Sequence, residues 1–358
     1  LPLILPALLA RWGEVRLGSS CSFAYTNASI SSHASETTME INAKGHGFCN
    51  DTIPASLRRT ITKAVAVKRS RAEHLRALLT ENTCHVMPCC FDALSARLIE
   101  QAGFPLTFMS GFSVAAARAG LPDTGLLTVT EMLDQGRSIC DAVTLPVIGD
   151  GDNGHGNSAN VQRTMHQFAQ AGFAGIMLED QISPKRCGHT GVKAVVDREE
   201  ALERVRAAIK AKEQGADLII IARTDARSAL AARDGEAGAL EEALWRLNAF
   251  ADLGADVLFL EAPRSEQEMN RFCQEVPGWR MANMLEGGLT PWLSPEALAA
   301  MGFRLAAYPL TLLSAAAWAM KAALSELQSG TMPQRLLSFS ELKDLVGFDA
   351  YDKAAGRG

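Results

Sequence analysis

The chain lacks any Cys-x-x-Cys pair among its eight cysteines, and their spacing suggests neither a disulfide framework nor a cysteine-held metal. Cys89, Cys90, Cys140 and Cys273 sit in apolar surroundings and read as small buried hydrophobes, as in a protein of a reducing compartment. A strong charge of one sign is also missing. A net charge of −5 over 358 residues leaves no electrostatic footprint for nucleic acid. Nor does the N-terminal apolar stretch, Leu1 to Ala10, reach the roughly 20 residues that span a bilayer. Acidic residues are scarce before Glu36, while Arg11, Arg16 and a Ser/Thr-rich tract from Ser19 to Thr38 follow the apolar start. That composition reads as a leader over residues 1–65, directing the protein to a plastid or mitochondrion if it is a transit peptide. Without that role the segment is a disordered tail and the protein cytoplasmic. The sequons at Asn27 and Asn50 read as chance matches.

From about Lys68 the pattern becomes regular. Strands are expected at His85–Phe91, Leu106–Phe112, Leu145–Asp150, Gly175–Glu179, Leu218–Asp225, Val257–Ala262, Arg280–Leu285 and Phe303–Tyr308. Helix-like stretches lie between most of them, including Ser95–Ala102, Ala159–Ala171, Arg198–Gln214, Leu240–Leu253 and Pro295–Met301. Several end at a glycine just before the next strand (Gly103, Gly172, Gly215, Gly254), where a helix C-terminus favours positive φ. Eight apolar strands with helical crossovers predict a closed (β/α)₈ barrel over residues 66–335, with a tail at 336–358. An open doubly wound sheet is the alternative. The apolar helix from Leu310 to Leu327 is expected to pack on its own barrel or on another subunit, the second giving a homodimer or homotetramer.

Polar residues gather where the strands end: Ser110, Asp150 with Asp152, Glu179, Arg223 with Asp225, Glu261 and Asn283. Barrel enzymes place their sites on that face. Clustered carboxylates there suit a hard cation such as Mg²⁺. Shortly after Glu179, Cys187 stands among Lys185, Arg186 and His189; cationic neighbours favour thiolate, so this thiol can exchange a proton near neutral pH. A metal and a proton-transferring thiol in one place read as an enzyme.

Seven segments in order carry a family resemblance: Ser110-Gly111-Phe112, Gly120-Leu121-Pro122-Asp123, Asp150-Gly151-Asp152-Asn153-Gly154, Glu179-Asp180-Gln181, Lys185-Arg186-Cys187-Gly188-His189, Ala222-Arg223-Thr224-Asp225 and Asn283-Met284-Leu285-Glu286-Gly287-Gly288. Residues of about 70–330 resemble the isocitrate lyase/phosphoenolpyruvate mutase superfamily. The Lys-Arg-Cys-Gly-His element is similar to its small carbon–carbon lyases: 2-methylisocitrate lyase, 2,3-dimethylmalate lyase, and the oxaloacetate hydrolases that include petal-death protein. The resemblance implies Mg²⁺, or Mn²⁺ in its place, held directly by Asp150 and through water by Asp152 and Glu179. It implies Cys187 as general acid/base, with Lys185, His189 and Arg223 as further catalytic groups. Substrate would meet the backbone N–H groups of Ser110, Gly111 and Phe112, and the residues Asp123, Arg186, Gly188, Glu261 and Asn283. The loop around Cys187, Ser183 to Val195, would close over the site.

The expected substrate is a small 2-oxo or 2-hydroxy dicarboxylate, with no nucleic acid or membrane partner. Phosphonate chemistry on a phosphonopyruvate-like substrate is the second reading, although such a reaction has no evident use for a thiol acid. A catalytically silent barrel is the third. His155, inside the Asp/Gly loop, is expected to be solvent-facing or behind the ligands rather than a ligand itself.

Overall fold

The computed structural model describes residues 70–185 and 193–357. The leader reading of residues 1–65 lies outside them, as do Arg186, Cys187, Gly188 and His189 and most of the loop expected to close. Eight parallel strands form one closed barrel in sequence order: β1 His85–Cys90, β2 Thr107–Met109, β3 Val147–Asp150, β4 Gly175–Glu179, β5 Ile219–Thr224, β6 Val257–Leu260, β7 Trp279–Asn283 and β8 Leu305–Tyr308. The ring closes where His85 of β1 pairs with Leu305 of β8 and Pro88 with Tyr308. All eight expected strands are present, so the (β/α)₈ reading holds and the open sheet does not.

The helices are α1 Arg71–Thr80, α2 Ala93–Gln101, α3 Gly111–Val114, α4 Val129–Ala142, α5 Ser158–Gln170, α6 Arg198–Glu213, α7 Ala226–Ala229, α8 Ala231–Asp252, α9 Glu266–Glu275, α10 Pro295–Met301, α11 Thr311–Gln328, α12 Phe339–Val346 and α13 Phe348–Ala354. Their starts are written in short polar side chains. Asp92, Thr128, Asn157 and Ser265 each accept a hydrogen bond from a first-turn N–H of the helix that follows. Gly103 and Gly172, read as stop signals, adopt φ of 82° and 92°. Residues 336–358, read as a tail, carry α12 and α13, and Arg97 of α2 donates to the Val346 carbonyl at 3.1 Å.

The core has two layers, and a strand's two-residue period assigns side chains to them. Inside the barrel, Met87, Phe108, Ile148, Met177, Ile219, Ile221, Phe259 and Met281 pack together, and Leu75 and Leu79 of α1 join the same cluster. Between strands and helices lie Ile176, Leu178, Phe168 and Phe173 on one side and Ala222, Leu258, Leu244 and Phe272 on the other. Gly149 belongs to the outer layer. A Cβ there would stand 2.6 Å from Phe168 and 2.8 Å from Phe173, so β3 runs close against that stacked pair, one residue before Asp150.

The helix α11 does not cover itself on its own barrel. None of its residues is buried; Trp318 is 61% exposed and Leu324 64%. Of the two expected arrangements, packing along its own barrel is therefore not what the chain does over most of this helix. Among the described residues no helix is long and apolar enough to cross a membrane.

Candidate active site

One step of two residues past the barrel core brings each strand's functional residue to the same mouth. Phe108 is followed by Ser110, Ile148 by Asp150, Met177 by Glu179, Ile221 by Arg223, Phe259 by Glu261 and Met281 by Asn283. All twelve line one cavity except Ile148 and Ile221, which lie beneath it. Asp123, Lys185, Phe112, Leu285, Pro309 and Leu310 contribute from the connecting segments. The void open to water-sized molecules is about 70 Å³. At about 10–15 Å³ per water, that holds roughly five to seven waters, the space of a small organic acid.

Lys185 is the hub of the acidic side. Its ammonium lies 2.9 Å from Asp123 and 3.9 Å from Asp150, and it also pairs with Asp152. Burial alone would lower its pKa, but Asp150, Asp152 and Asp123 outweigh burial and hold it well above the usual lysine range. Lys185 therefore stays charged and serves as a fixed cation. Asp123, expected to meet substrate, links its own loop to Lys185. Asp150 is held from two sides: Gly111 N–H donates to Oδ2 and Asp152 N–H to Oδ1, both at 3.1 Å. Asp152 itself sits at φ 49°, its carbonyl accepting from Glu179 N–H at 2.8 Å. These bonds tie the ends of β3 and β4 together.

Arg223 defines the other side. Its Nε is 3.3 Å from Glu179 and 2.8 Å from Asp225, and Nη2 is 3.6 Å from Glu261. The guanidinium also stands 5.4 Å from the centre of the Phe259 ring. Burial pushes Glu179 well above the ordinary carboxylate range, Arg223 only partly opposing it. Burial likewise pushes Asp152 up to about 7. Among the described residues these carboxylates are also short of positive charge, since Asp123, Asp150, Asp152, Glu179 and Glu261 lie around two cations, Lys185 and Arg223.

That shortage, together with a buried Glu179 Oε1 that has no hydrogen-bond partner among the described residues, is what a divalent metal would relieve. The donors are hard carboxylate oxygens, as Mg²⁺ requires. Among the described residues no three His, Cys, Asp or Glu side chains converge as a ready-made cage. Asp150 on β3 and Glu179 on β4 fit such an ion.

One expectation needs correcting. The segment Ser110-Gly111-Phe112 was read as the end of a strand offering three backbone N–H groups to substrate. Instead β2 stops at Met109, and Ser110 caps α3, its hydroxyl accepting from Ser113 N–H. Ser110 N–H donates to Cys90 O at 3.2 Å and Gly111 N–H is taken by Asp150, leaving, of the three, the first-turn N–H of Phe112, a residue that lines the cavity, without an intrahelical partner. Cys89, read only as a packed hydrophobe, is buried but also lines the cavity. Burial, and then Cys90, push its thiol well above its usual range, so it stays protonated. His155, expected to be solvent-facing or behind the ligands, is half-buried, and burial lowers its pKa to about 4.

Residues 75–328 match the phosphoenolpyruvate phosphomutase family. The chain belongs to the phosphoenolpyruvate mutase family. It is an enzyme of the wider PEP mutase/isocitrate lyase superfamily, whose members similar to this chain are named as lyases, hydrolases and phosphomutases. The 2,3-dimethylmalate lyase of Eubacterium barkeri is 38% identical over 283 residues, covering 78% of this chain and 94% of that protein. The chloroplastic carboxyvinyl-carboxyphosphonate phosphorylmutase of Arabidopsis thaliana is 40% identical over 285 residues, covering 78% and 82%. A structure of oxaloacetate acetylhydrolase with the inhibitor 3,3-difluorooxalacetate superimposes with a TM-score of 0.75 at 35% identity, over 81% of this chain and 98% of that one.

Residues that sequence reasoning passed over lie just behind the mouth. Asp180 accepts from Thr224 Oγ1 at 2.6 Å, from Asp225 N–H at 2.9 Å and from Arg246 at 3.1 Å. Arg204 of α6 donates to the carbonyls of Glu179 and Gln181 at 3.1 and 2.7 Å. Arg204 and Arg246 are buried on crossover helices, and an isolated buried charge there leaves no periodic signal.

Proposed function

We propose that this mutase-family enzyme cleaves a carbon–carbon bond in a small 2-oxo or 2-hydroxy dicarboxylate. The first candidates are oxaloacetate with water, giving oxalate and acetate, and a 2-alkylmalate or 2-methylisocitrate, giving a 2-oxo acid and a carboxylate. The supporting observation is the shape of the charge in the mouth: Arg223 and Lys185 as fixed cations around a space for a small acid, beside carboxylates short of a counter-ion. A bound Mg²⁺ or Mn²⁺ would polarise the substrate's carboxylate and 2-oxygen as a Lewis acid. Asp150 would hold it directly, with Asp152 and Glu179 acting through water.

Arg223 and Phe112 N–H bind and orient the substrate carboxylate, and Lys185 balances the negative charge of the loaded site. Asn283 Oδ1, buried without a hydrogen-bond partner among the described residues, is placed to accept from a substrate hydroxyl or a water. As the carbon–carbon bond breaks, the substrate's 2-hydroxyl (for oxaloacetate, a hydroxyl of its hydrate) gives its proton to water and its oxygen becomes the new carbonyl. The bonding pair leaves with the departing carbon, which takes a proton from Cys187, and in reverse Cys187 takes that proton back. Lys185, two residues before Cys187 in the chain, already lines the cavity.

The test is proton NMR of the protein with Mg²⁺ and a panel of oxaloacetate, 2-alkylmalates and 2-methylisocitrate. Cleavage of one of them carries the reading, and inertness toward all of them sinks it. The 40% identity to a phosphorylmutase makes phosphonopyruvate the second substrate to offer, followed by phosphorus NMR. Metal dependence has a readout apart from turnover. Mg²⁺ at about a hundredfold over its Kd should raise the melting temperature by several degrees, since ligand binding to the folded state alone adds about 2.7 kcal/mol. Asp150→Asn should remove that shift, and EDTA should abolish turnover until Mg²⁺ is restored. A full shift in Asp150→Asn would exclude this metal site.

The uncovered helix α11, with Trp318, Met320, Leu324 and Leu327 exposed, is proposed to pack on a second copy of the chain, giving a homodimer or homotetramer. Light scattering should give a multiple of the 38.4 kDa chain mass, and Trp318→Glu with Leu324→Glu should shift it to the monomer. A wild-type monomer would rule the interface out.

A further inference from the structure

Lys193 is buried, and its ammonium lies 2.6 Å from Asp225 Oδ1, deep behind the mouth. The same Asp225 holds the substrate-facing arginine in a fork: Arg223 Nη2 reaches Oδ1 at 3.0 Å and Nε reaches Oδ2 at 2.8 Å. Lys193 is held in place independently of this carboxylate. Gln181 and Val195 form an antiparallel bridge, Ile182 N–H donates to Ala194 O at 3.1 Å, and Val196 N–H donates to Asp180 O at 2.9 Å. Arg246 ties Asp180 to the Val196 carbonyl at 2.9 Å, while Asp180 in turn accepts Asp225 N–H. Residues 193–196 and 223–225 are thereby locked to one strip, Asp180–Ile182.

We propose that Lys193 is a positioning residue that sets how much of Arg223's charge faces the substrate. Asp225 is fully buried, and Arg223 and Lys193 are its two cationic partners among the described residues. Shared between them, the carboxylate draws on only part of the guanidinium, which also keeps its approach to Glu179 and Glu261. Without Lys193, a buried carboxylate is left with one counter-ion, and Arg223 is drawn onto it and away from the cavity. The effect is electrostatic, so removing the negative charge at the same time should undo it. This rests on Arg223 serving the substrate carboxylate as proposed above.

The experiment compares wild type, Lys193→Met, Lys193→Arg and the double variant Lys193→Met/Asp225→Asn by crystallography and by calorimetric titration with oxalate in Mg²⁺. In Lys193→Met, Arg223 should move away from Glu179 and Glu261, and the Kd for oxalate should rise roughly tenfold to a hundredfold, the range of a lost charge-assisted contact. The double variant, which loses one charge of each sign, should bind oxalate more tightly than the single, and Lys193→Arg should recover part of the loss. A merely structural lysine predicts the opposite order, with the double variant the worst. An unmoved Arg223 in the single variant, or a double variant no better than it, overturns the proposal. If Lys193→Met does not fold, the order of the remaining three decides, because a double variant with oxalate affinity far below that of Lys193→Arg also overturns it. Failure of the wild type to bind oxalate would count against the proposed function, while the position of Arg223 would still decide the role of Lys193.

Discussion

Cys187→Ser is expected to lower kcat by about 10²–10⁴-fold, the range supplied by a positioned acid or base, while oxalate still binds. Serine keeps the size and polarity of the group but cannot give up or take a proton near neutral pH. The sequence surrounds Cys187 with Lys185, Arg186 and His189, and the structure shows what one of these cations does. Lys185 is buried at the cavity and kept charged by three aspartates. The same cavity supplies an internal control. Cys89 also lines it, but burial and neighbouring groups hold its thiol protonated, so Cys89→Ala should stay within a few-fold of wild type in kcat. Steady-state kinetics on the substrate found by NMR, with oxalate titration for binding, checks both. A Cys187→Ser enzyme within tenfold of wild type, or a Cys89→Ala enzyme as damaged as Cys187→Ser, would remove Cys187 from its role.

Gly111→Ala should cost about 10²-fold in kcat/KM and weaken Mg²⁺ binding, although only one methyl group is added. A Cβ on residue 111 would stand 2.5 Å from Asp150 Oδ2, 3.2 Å from its Cγ and 3.4 Å from Lys185 Nζ. Real side chains do not tolerate such an approach, so the carboxylate must leave. It is short and bound by the N–H groups of Gly111 and Asp152, with nowhere to swing without losing one of them. A displacement of about 1 Å at a positioned group costs about 10²-fold. Folding should not suffer in parallel. Gly111 opens α3, where alanine has the better helix propensity by up to about 1 kcal/mol, so the melting temperature should hold. Catalysis lost with stability kept is the expected pattern. Wild-type kcat/KM in Gly111→Ala would mean that the Asp150 carboxylate is not part of the machinery, and a collapse of the melting temperature would make the glycine a folding requirement instead.

The barrel was legible because its signals repeat. Eight apolar runs alternate with helices whose caps and terminal glycines are local chemistry, readable without knowing any distant contact. The strand-end residues Asp150, Glu179, Arg223, Glu261 and Asn283 were legible for a related reason: in a parallel barrel a polar residue at the C-terminal end of an apolar strand has few places to go but the mouth. Which apolar neighbours share that mouth was not legible. Every strand is buried on both faces, so Met177 and Leu178, or Phe108 and Met109, look alike in sequence, and only ring closure assigns the inner one.

Two features escaped for different reasons. Ser110-Gly111-Phe112 was read as strand because Phe104 to Phe112 is nearly continuous apolar sequence. A single hydroxyl capping Ser113 N–H, with the glycine's close approach to Asp150, turned it into a helix start. Lys193 and Arg246 carry no sequence signal that sets them apart from other charges on a loop and a helix. Their partners, Asp225 and Asp180, lie 32 and 66 residues away, and ion pairs at such separations carry no local pattern.

The sequence by itself therefore determined the fold class, the order of the elements, the family and the inventory of carboxylates and cations at the strand ends, because each is expressed in short-range periodicity or motif. Tertiary structure decided which charges share a partner, which N–H groups are already taken, and that α11 stands uncovered. Those outcomes depend on burial and on distances across the barrel mouth, where one ångström changes the electrostatics and no sequence spacing records it.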